Sequence, residues 1–330
     1  MIKILVVGPG LIGRRHCEEI IKSSRCELVG VVRKQVRDFQ LEKKKIKFFL
    51  NLQLAINQTK PDAIIIASPN NLHAEHAKIC LKNKIPILIE KPLSMNLKNA
   101  YEIFKISSEN KIPVLVGHHR THSEGIQKLK NFLDSGTIGE VQTFMGMATF
   151  YKPKSYFEAG LWRSKKGGGP IKINLIHEIG IIRYLISEIE SIKFVTSNSY
   201  RMTEVEDKAS FSIKFTNGAI GSIVISDASA SPYSWENTSG ENKIYPMYQE
   251  GCYFITGTRG SISYPNGNFY KAHREPNWEE KMKFQKIDFS SNDPIATQLD
   301  HFIDVVEKSV SPKVSALDGY RNMEIILNAI

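Results

Sequence analysis

The first 120 residues alternate short apolar runs with helical patterns, and this alternation limits the possible folds more than any other feature of the chain. Strands are expected at Lys3–Val7, Glu27–Val32, Ala63–Ala67, Ile85–Ile89 and Pro113–Gly117, mostly apolar runs of the kind buried on both faces of a sheet. Helical periodicity fills the intervals at Ile12–Lys22, Asn51–Gln58, His73–Lys82 and Leu97–Asn110. Each connection can carry a crossover helix, so the strands should run parallel with helices on both faces.

The predicted fold class is therefore α/β: a Rossmann domain with a parallel doubly wound sheet over residues 1–120, followed by a second domain over 121–330. After Arg120 a helix, Glu124–Asp134, leads into period-two stretches at Val141–Phe150, Ser191–Asn198, Ala209–Phe215, Ala219–Ser226 and Tyr253–Gly257. With turn signals such as Thr216-Asn217-Gly218, these predict an α+β domain with a large, mostly antiparallel sheet. Helical patterns at Ala296–Ser309 and Gly319–Ile330 close the chain and are candidates for packing back on the first domain. Ser231–Gln249, rich in Pro, Ser, Asn and aromatics, reads as a long loop.

Composition narrows the function classes. With 42% hydrophobic and 24% charged residues, the 330-residue chain reads as a soluble globular enzyme. No apolar run approaches the roughly 20 residues of a bilayer span, so no membrane partner is expected. The chain enters a strand at once, without a signal-peptide pattern, and a cytoplasmic location is expected. Cys17, Cys26, Cys80 and Cys252 are scattered and read as buried thiols. The net charge of +10 is spread thinly. Its densest run, Glu42-Lys43-Lys44-Lys45-Ile46-Lys47, is short and lacks aromatics, so small phosphorylated or carboxylated molecules are expected rather than nucleic acid.

Gly8-Pro9-Gly10-Leu11-Ile12-Gly13 fits G-x-G-x-x-G directly after the first strand and at the start of a helix. Glycines there permit a tight turn and the close approach of a pyrophosphate to main-chain N–H groups, and the helix N-terminus favours its charge. Gly8, Gly10, Leu11, Ile12 and Gly13 are thus predicted dinucleotide contacts. NAD-binding sheets place an acid after the second strand; this chain has Arg33 and Lys34 there, with Arg37 nearby. A guanidinium pairs with a 2′-phosphate, so NADP is expected in preference to NAD.

A further apolar run, Ile85-Pro86-Ile87-Leu88-Ile89, ends in Glu90-Lys91-Pro92, charges placed where a parallel sheet binds ligands. Together with Ser68-Pro69-Asn70-Asn71-Leu72-His73, Gly117-His118-His119-Arg120, Leu161-Trp162-Arg163 and Gly167-Gly168-Gly169 before His177, this ordered set resembles the glucose–fructose oxidoreductase, inositol dehydrogenase and rhizopine-catabolism (Gfo/Idh/MocA) family from end to end. The resemblance implies that Lys91 reaches both cofactor and substrate, that the peptide after it is cis, and that His177 takes part in proton transfer. It also implies cofactor contacts from Ser68, Pro69, Asn70, His73, Glu90, Trp162 and Arg163. Lys152, Tyr156, Asn174 and Trp235 are candidates for the substrate wall. Many members carry an acid four residues before the histidine and another three after it; here Ile173 and Gly180 stand instead. No metal is expected, since the histidines at 118, 119 and 122 lack a carboxylate set nearby.

The implied activity is NAD(P)-dependent hydride transfer to or from a secondary alcohol or ketone of a sugar, cyclitol or related polyol, by a homodimer or homotetramer. The alternatives are a non-catalytic NADP-binding redox sensor and a redox-neutral lyase or glycosidase that retains its cofactor.

Overall fold

The computed structural model describes residues 1–33, 46–289 and 292–328. Two compact units emerge: residues 1–122 with 295–324, and residues 123–294 with 325–330.

The first unit is built on a six-stranded sheet of order β3-β2-β1-β4-β5-β6, with every pair parallel. Its strands are β1 (Ile2–Val7), β2 (Cys26–Val32), β3 (Phe48–Phe49), β4 (Ala63–Ile66), β5 (Ile87–Glu90) and β6 (Val114–Gly117). The order reverses between β1 and β4, the switch point outside which α/β sheets hold their ligands. Ile4 to Val7, Ile64 to Ile66 and Ile87 to Ile89 are all essentially inaccessible, as strands covered on both faces require. Helices α1 (Leu11–Lys22), α2 (Leu52–Thr59), α3 (His73–Lys82) and α4 (Leu97–Asn110) make the crossovers. Asn51 and Asn96 cap α2 and α4 by accepting from Leu54 N–H and Asn99 N–H. The strand β3 was not anticipated, because two residues are too few to show a period.

The second unit carries an eight-stranded sheet of order β14-β13-β12-β11-β7-β10-β9-β8. The pairing is antiparallel except between β7 (Val141–Thr149) and β10 (Ile220–Ser226), which run parallel. β9 (Lys208–Phe215) returns into β10 through the expected turn, where Gly218 adopts φ +89° and donates to Phe215 C=O. Burial alternates strictly along β9: Ala209, Phe211, Ile213 and Phe215 point inward and Ser210, Ser212 and Lys214 outward. Beyond β8 (Ile189–Ser197) and β11 (Tyr253–Gly257), three strands escape the sequence pattern: β12 (Gly260–Tyr264), β13 (Asn268–Lys271) and β14 (Lys283–Lys286). They are short, and β14 is exposed throughout, so no apolar period marks it.

The segment Ser231–Gln249 is not simply a loop. It contains a one-turn helix, Trp235–Thr238, capped by Ser234, and it buries Ser234, Trp235, Thr238 and Glu241. Glu241 accepts from the Ser123 hydroxyl, which also caps α5 (Glu124–Asp134). One large indole and one paired carboxylate fold the segment down, a tertiary effect that its polar composition conceals. All four cysteines are buried thiols, none of them in a disulfide. Among the described residues, no helix is long and apolar enough to cross a membrane.

Candidate active site

The carboxyl edge of the first sheet collects the turn after β1, the turn after β4 and the turn after β5. At Gly8, φ is +89°, and a Cβ would stand 2.5 Å from Ser68 Cα. At Gly13 a Cβ would stand 2.0 Å from Gly8 O. Packing thus accounts for both glycines. Gly10 is different: its φ is −68° and nothing lies within 4 Å of where a Cβ would be. It opens α1 with no side-chain cap and no acid in the first turn, and Leu11 beside it is exposed. An open face at a bare helix N-terminus fits the close approach of a pyrophosphate, so the residues present fit a dinucleotide.

His73 ties two of these turns together. Its Nε2 lies 2.8 Å from Ser68 O, and its Nδ1 lies 2.7 Å from Pro92 O. The Ser68 hydroxyl in turn meets His76 Nδ1 at 2.9 Å. Burial pushes the His73 imidazole below its ordinary proton affinity even though both carbonyls favour its protonation. His73 therefore braces the Ser68-Pro69-Asn70 turn against the turn that carries Lys91. The Lys91–Pro92 peptide is cis, as the resemblance implies.

Glu90, the last residue of β5, is only 6% exposed and faces inward, where its Oε1 meets His16 Nε2 at 2.8 Å. Burial would raise its carboxyl, but the His16 hydrogen bond and nearby positive charge hold it below the usual carboxylate range. His16 is a contributor that the sequence pattern did not flag. Three residues after Gly13 on the inner face of α1, a histidine there reads as an ordinary core residue.

Arg33 directly follows β2 and lays its guanidinium over the Phe48 ring, 3.7 Å from the centroid. Lys34 and Arg37 lie outside the described residues.

In the second unit, His177 is 8% exposed near the start of α6 (Ile176–Leu185), the apolar helix predicted to be buried. A π-turn, Ile171–Leu175, precedes it, a local widening that recurs at functional sites. Glu206 accepts from Ile171 N–H at 2.9 Å and so caps this turn, although burial raises its carboxyl. Gly169 has φ +81°, and a Cβ there would stand 2.5 Å from Glu206 Oε1. Glu178, next to His177, accepts from the Tyr253 hydroxyl at 2.6 Å.

Three of the substrate-wall candidates form one cluster. Lys152 Nζ donates to Asn174 Oδ1 at 2.8 Å and lies 4.8 Å from the centre of the Tyr156 ring. Arg163 packs over the same ring at 4.0 Å and donates to Tyr156 O. Trp162, by contrast, is 54% exposed. Arg201 bonds Asp227 Oδ1 at 2.8 Å and also donates to Lys152 O, an addition no motif signalled. Trp235 is buried, and its indole interacts with the Tyr264 hydroxyl. Among the described residues no group of three His, Cys, Asp or Glu side chains is placed to hold a metal ion.

A six-stranded doubly wound domain with a bare glycine turn, joined to a domain built on an open eight-stranded sheet, defines a dinucleotide-binding protein of two-domain architecture. The comparisons agree. A family model described as "Oxidoreductase family, NAD-binding Rossmann fold" matches residues 2–118, and one described as "GFO/IDH/MocA C-terminal domain" matches residues 126–263. The chain belongs to the GFO/IDH/MocA oxidoreductase family. It is 26% identical over 200 residues to inositol 2-dehydrogenase 2 of Mycolicibacterium vanbaalenii, covering 59% of this chain and 56% of the relative. It is 23% identical over 219 residues to 2,7-anhydro-N-acetylneuraminate hydratase of Escherichia coli, covering 64% and 54%. The matched stretches thus span just over half the length of these relatives. In fold, an oxidoreductase from Agrobacterium radiobacter, solved with NAD+, L-tartaric acid and magnesium, superimposes with a TM-score of 0.84 at 17% identity, covering 99% of this chain and 95% of that one.

Proposed function

We infer that the protein is an NADP-preferring oxidoreductase acting on a secondary alcohol or ketone of a cyclitol, sugar or related polyol. The observation that carries this reading is Gly10, a glycine that the protein's own packing does not require, set in a turn that packs on Ser68, which His73 in turn braces to the turn that carries Lys91. The relative named inositol 2-dehydrogenase 2 supports the substrate class.

A bound nicotinamide supplies the hydride donor or acceptor. The chain's own residues bind and orient. Gly8, Gly10, Leu11, Ile12 and Gly13 are assigned to the pyrophosphate, Ser68, Pro69 and Asn70 to the adjoining wall, and Trp162 and Arg163 to the nicotinamide side. Lys91 and His177 hold and move the proton of the substrate hydroxyl; Lys152, Tyr156 and Asn174 select the substrate.

Arg33 is assigned to the 2′-phosphate of NADP, where a charged hydrogen bond is worth about 1.5–3 kcal/mol. Fluorescence titration of both dinucleotides tests this. NADP should bind more tightly, and Arg33→Ala should cost roughly 10–100-fold in NADP affinity with little change for NAD. Equal affinities in the unmodified protein overturn the preference. Activity is tested by following NADPH or NADP+ with a panel of inositols, sugars and keto-sugars.

A second reading, redox-neutral turnover with retained cofactor, is favoured by the relative named a hydratase. Its signature is product formation without net change in NADPH.

The assembly we infer is a homodimer or homotetramer formed through the open sheet face. In register across it lie Lys214, Ile220, Thr143, Thr256, Ser261, Tyr270 and Phe284, with Val195, Ser210, Val224 and Met147 in a second row. Ile220, Val195, Val224, Tyr270 and Phe284 are large and exposed, an apolar content that suits burial against a second copy.

A further inference from the structure

Lys152 lies three residues past the end of β7, where the regular ladder of the sheet no longer holds the chain. Its main chain is nevertheless held at both polar groups. The N–H donates to Asp227 O at 2.9 Å, and the C=O accepts from Arg201 Nη2 at 2.8 Å. The same guanidinium donates through Nε to Asp227 Oδ1 at 2.8 Å, and Nη2 also donates to Asp227 O. One planar fork thus joins the chain just past β7 to the chain just past β10. At the far end of its side chain, Lys152 Nζ donates to Asn174 Oδ1, on the π-turn three residues before His177.

Arg201 is itself fixed. It sits in the connection between β8 and β9, where the Tyr200 and Arg201 N–H groups donate to Asp207 Oδ2 at 2.9 and 2.8 Å. Asp207 is fully inaccessible. Met202, next along, has left-handed backbone at φ +52°, a conformation unfavourable for a residue with a Cβ and concentrated where structure serves function. The guanidinium also lies over the Phe157 ring, 4.4 Å from its centroid, in the short helix Lys154–Glu158 that carries Tyr156. The Arg201 side chain is 11% exposed and that of Asp227 4%, so the pair is shielded rather than a solvated surface contact of little consequence.

We propose that Arg201 is a positioning residue of the substrate wall: by clamping the Lys152 main chain to Asp227, it fixes where the Lys152 amine stands against Asn174 and Tyr156. This deepens the reading of Lys152, Tyr156 and Asn174 as the residues that select the substrate, and rests on it. Arg201 acts through Lys152 rather than by touching substrate or cofactor. Without the fork, the flexible four-carbon stem of Lys152 is free to carry its amine away from Asn174.

Arg201→Met alone leaves the Asp227 carboxylate buried without its cation, so the test removes both charges together in Arg201→Met/Asp227→Asn. The full chain is treated with acetic anhydride, and acetylation of Lys152 is followed by mass spectrometry against the exposed Lys60. In the unmodified protein Lys152 is 8% exposed and should label slowly. In the double variant, well below its melt, it should label roughly tenfold faster or more, the change expected on losing a charged hydrogen bond. Arg201→Lys, whose ammonium lacks the planar fork, serves where the double variant does not fold and should also accelerate labelling. Unchanged labelling in a folded variant overturns the proposal. Kinetics on a substrate from the polyol panel shows whether the effect runs through Lys152. The double variant should raise KM about tenfold with a smaller change in kcat, and adding Lys152→Met to it should raise KM no further than Lys152→Met alone. Additive losses, the mark of a merely structural role, overturn the proposal. The reading beneath it fails separately: an unchanged KM in Lys152→Met removes Lys152 from the substrate wall, whatever the labelling shows.

Discussion

Single residues divide the glycine turn into two functions. Gly8→Ala forces a side chain into left-handed backbone at about 1–2 kcal/mol and drives a Cβ into the Ser68 main chain, so a loss of stability is expected in thermal melts. Gly10→Ala meets neither obstacle, and should melt as the unmodified protein does while losing about tenfold or more in dinucleotide affinity. Equal affinity in that variant would remove the argument for a pyrophosphate. Lys91→Ala and His177→Ala should each lower turnover by roughly 100-fold or more while NADP still binds, the usual scale for a lost general acid or base. Steady-state kinetics alongside binding titrations checks this.

At the scale of elements, the two sheets solve different problems. The parallel sheet is buried on both faces, and its carboxyl edge is a set of three turns, two of which His73 fastens together. The second sheet leaves one face open, with apolar side chains aligned across its strands. Val195→Glu together with Val224→Glu places like charge on the exposed row of that face without touching the inner row of Phe211, Ile213 and Ile223. The double variant is expected to remain folded and run as a smaller species in light scattering. An unchanged mass would move the interface elsewhere.

For the whole molecule, pH dependence follows from histidines folded in neutral form. His73 and His122 are buried, and burial holds both below their ordinary value of 6.5, His122 with further opposition from His301 and Lys313. Above 6.5 both are neutral in either state and contribute nothing. Below it, the unfolded chain takes up protons that the folded chain refuses, so stability falls as the pH drops toward the folded values. Each group removes about 1.4 kcal/mol per pH unit within that window. Glu90, its carboxyl depressed in the folded state, adds its loss only lower, as pH falls below about 4.5. Denaturant midpoints measured from pH 8 to 4 should therefore decline from near 6.5 downward. Replacing His122 by Asn should flatten the slope.

Local pattern was enough to reveal the doubly wound domain, the glycine turn and the ordered motifs that carry Lys91 and His177, because apolar periodicity and turn chemistry are local and each strand advertises its own burial. It also placed the turn at Gly218 and five of the helices to within one residue at either end. Folding in three dimensions was needed to show that Glu90 turns inward to His16, that His73 joins two turns, that Trp235 is buried against Tyr264, and that Lys152, Tyr156 and Asn174 form one cluster. Those contacts join residues up to 74 positions apart, and a side chain's partner is set by which elements fold beside it, a quantity no local pattern contains.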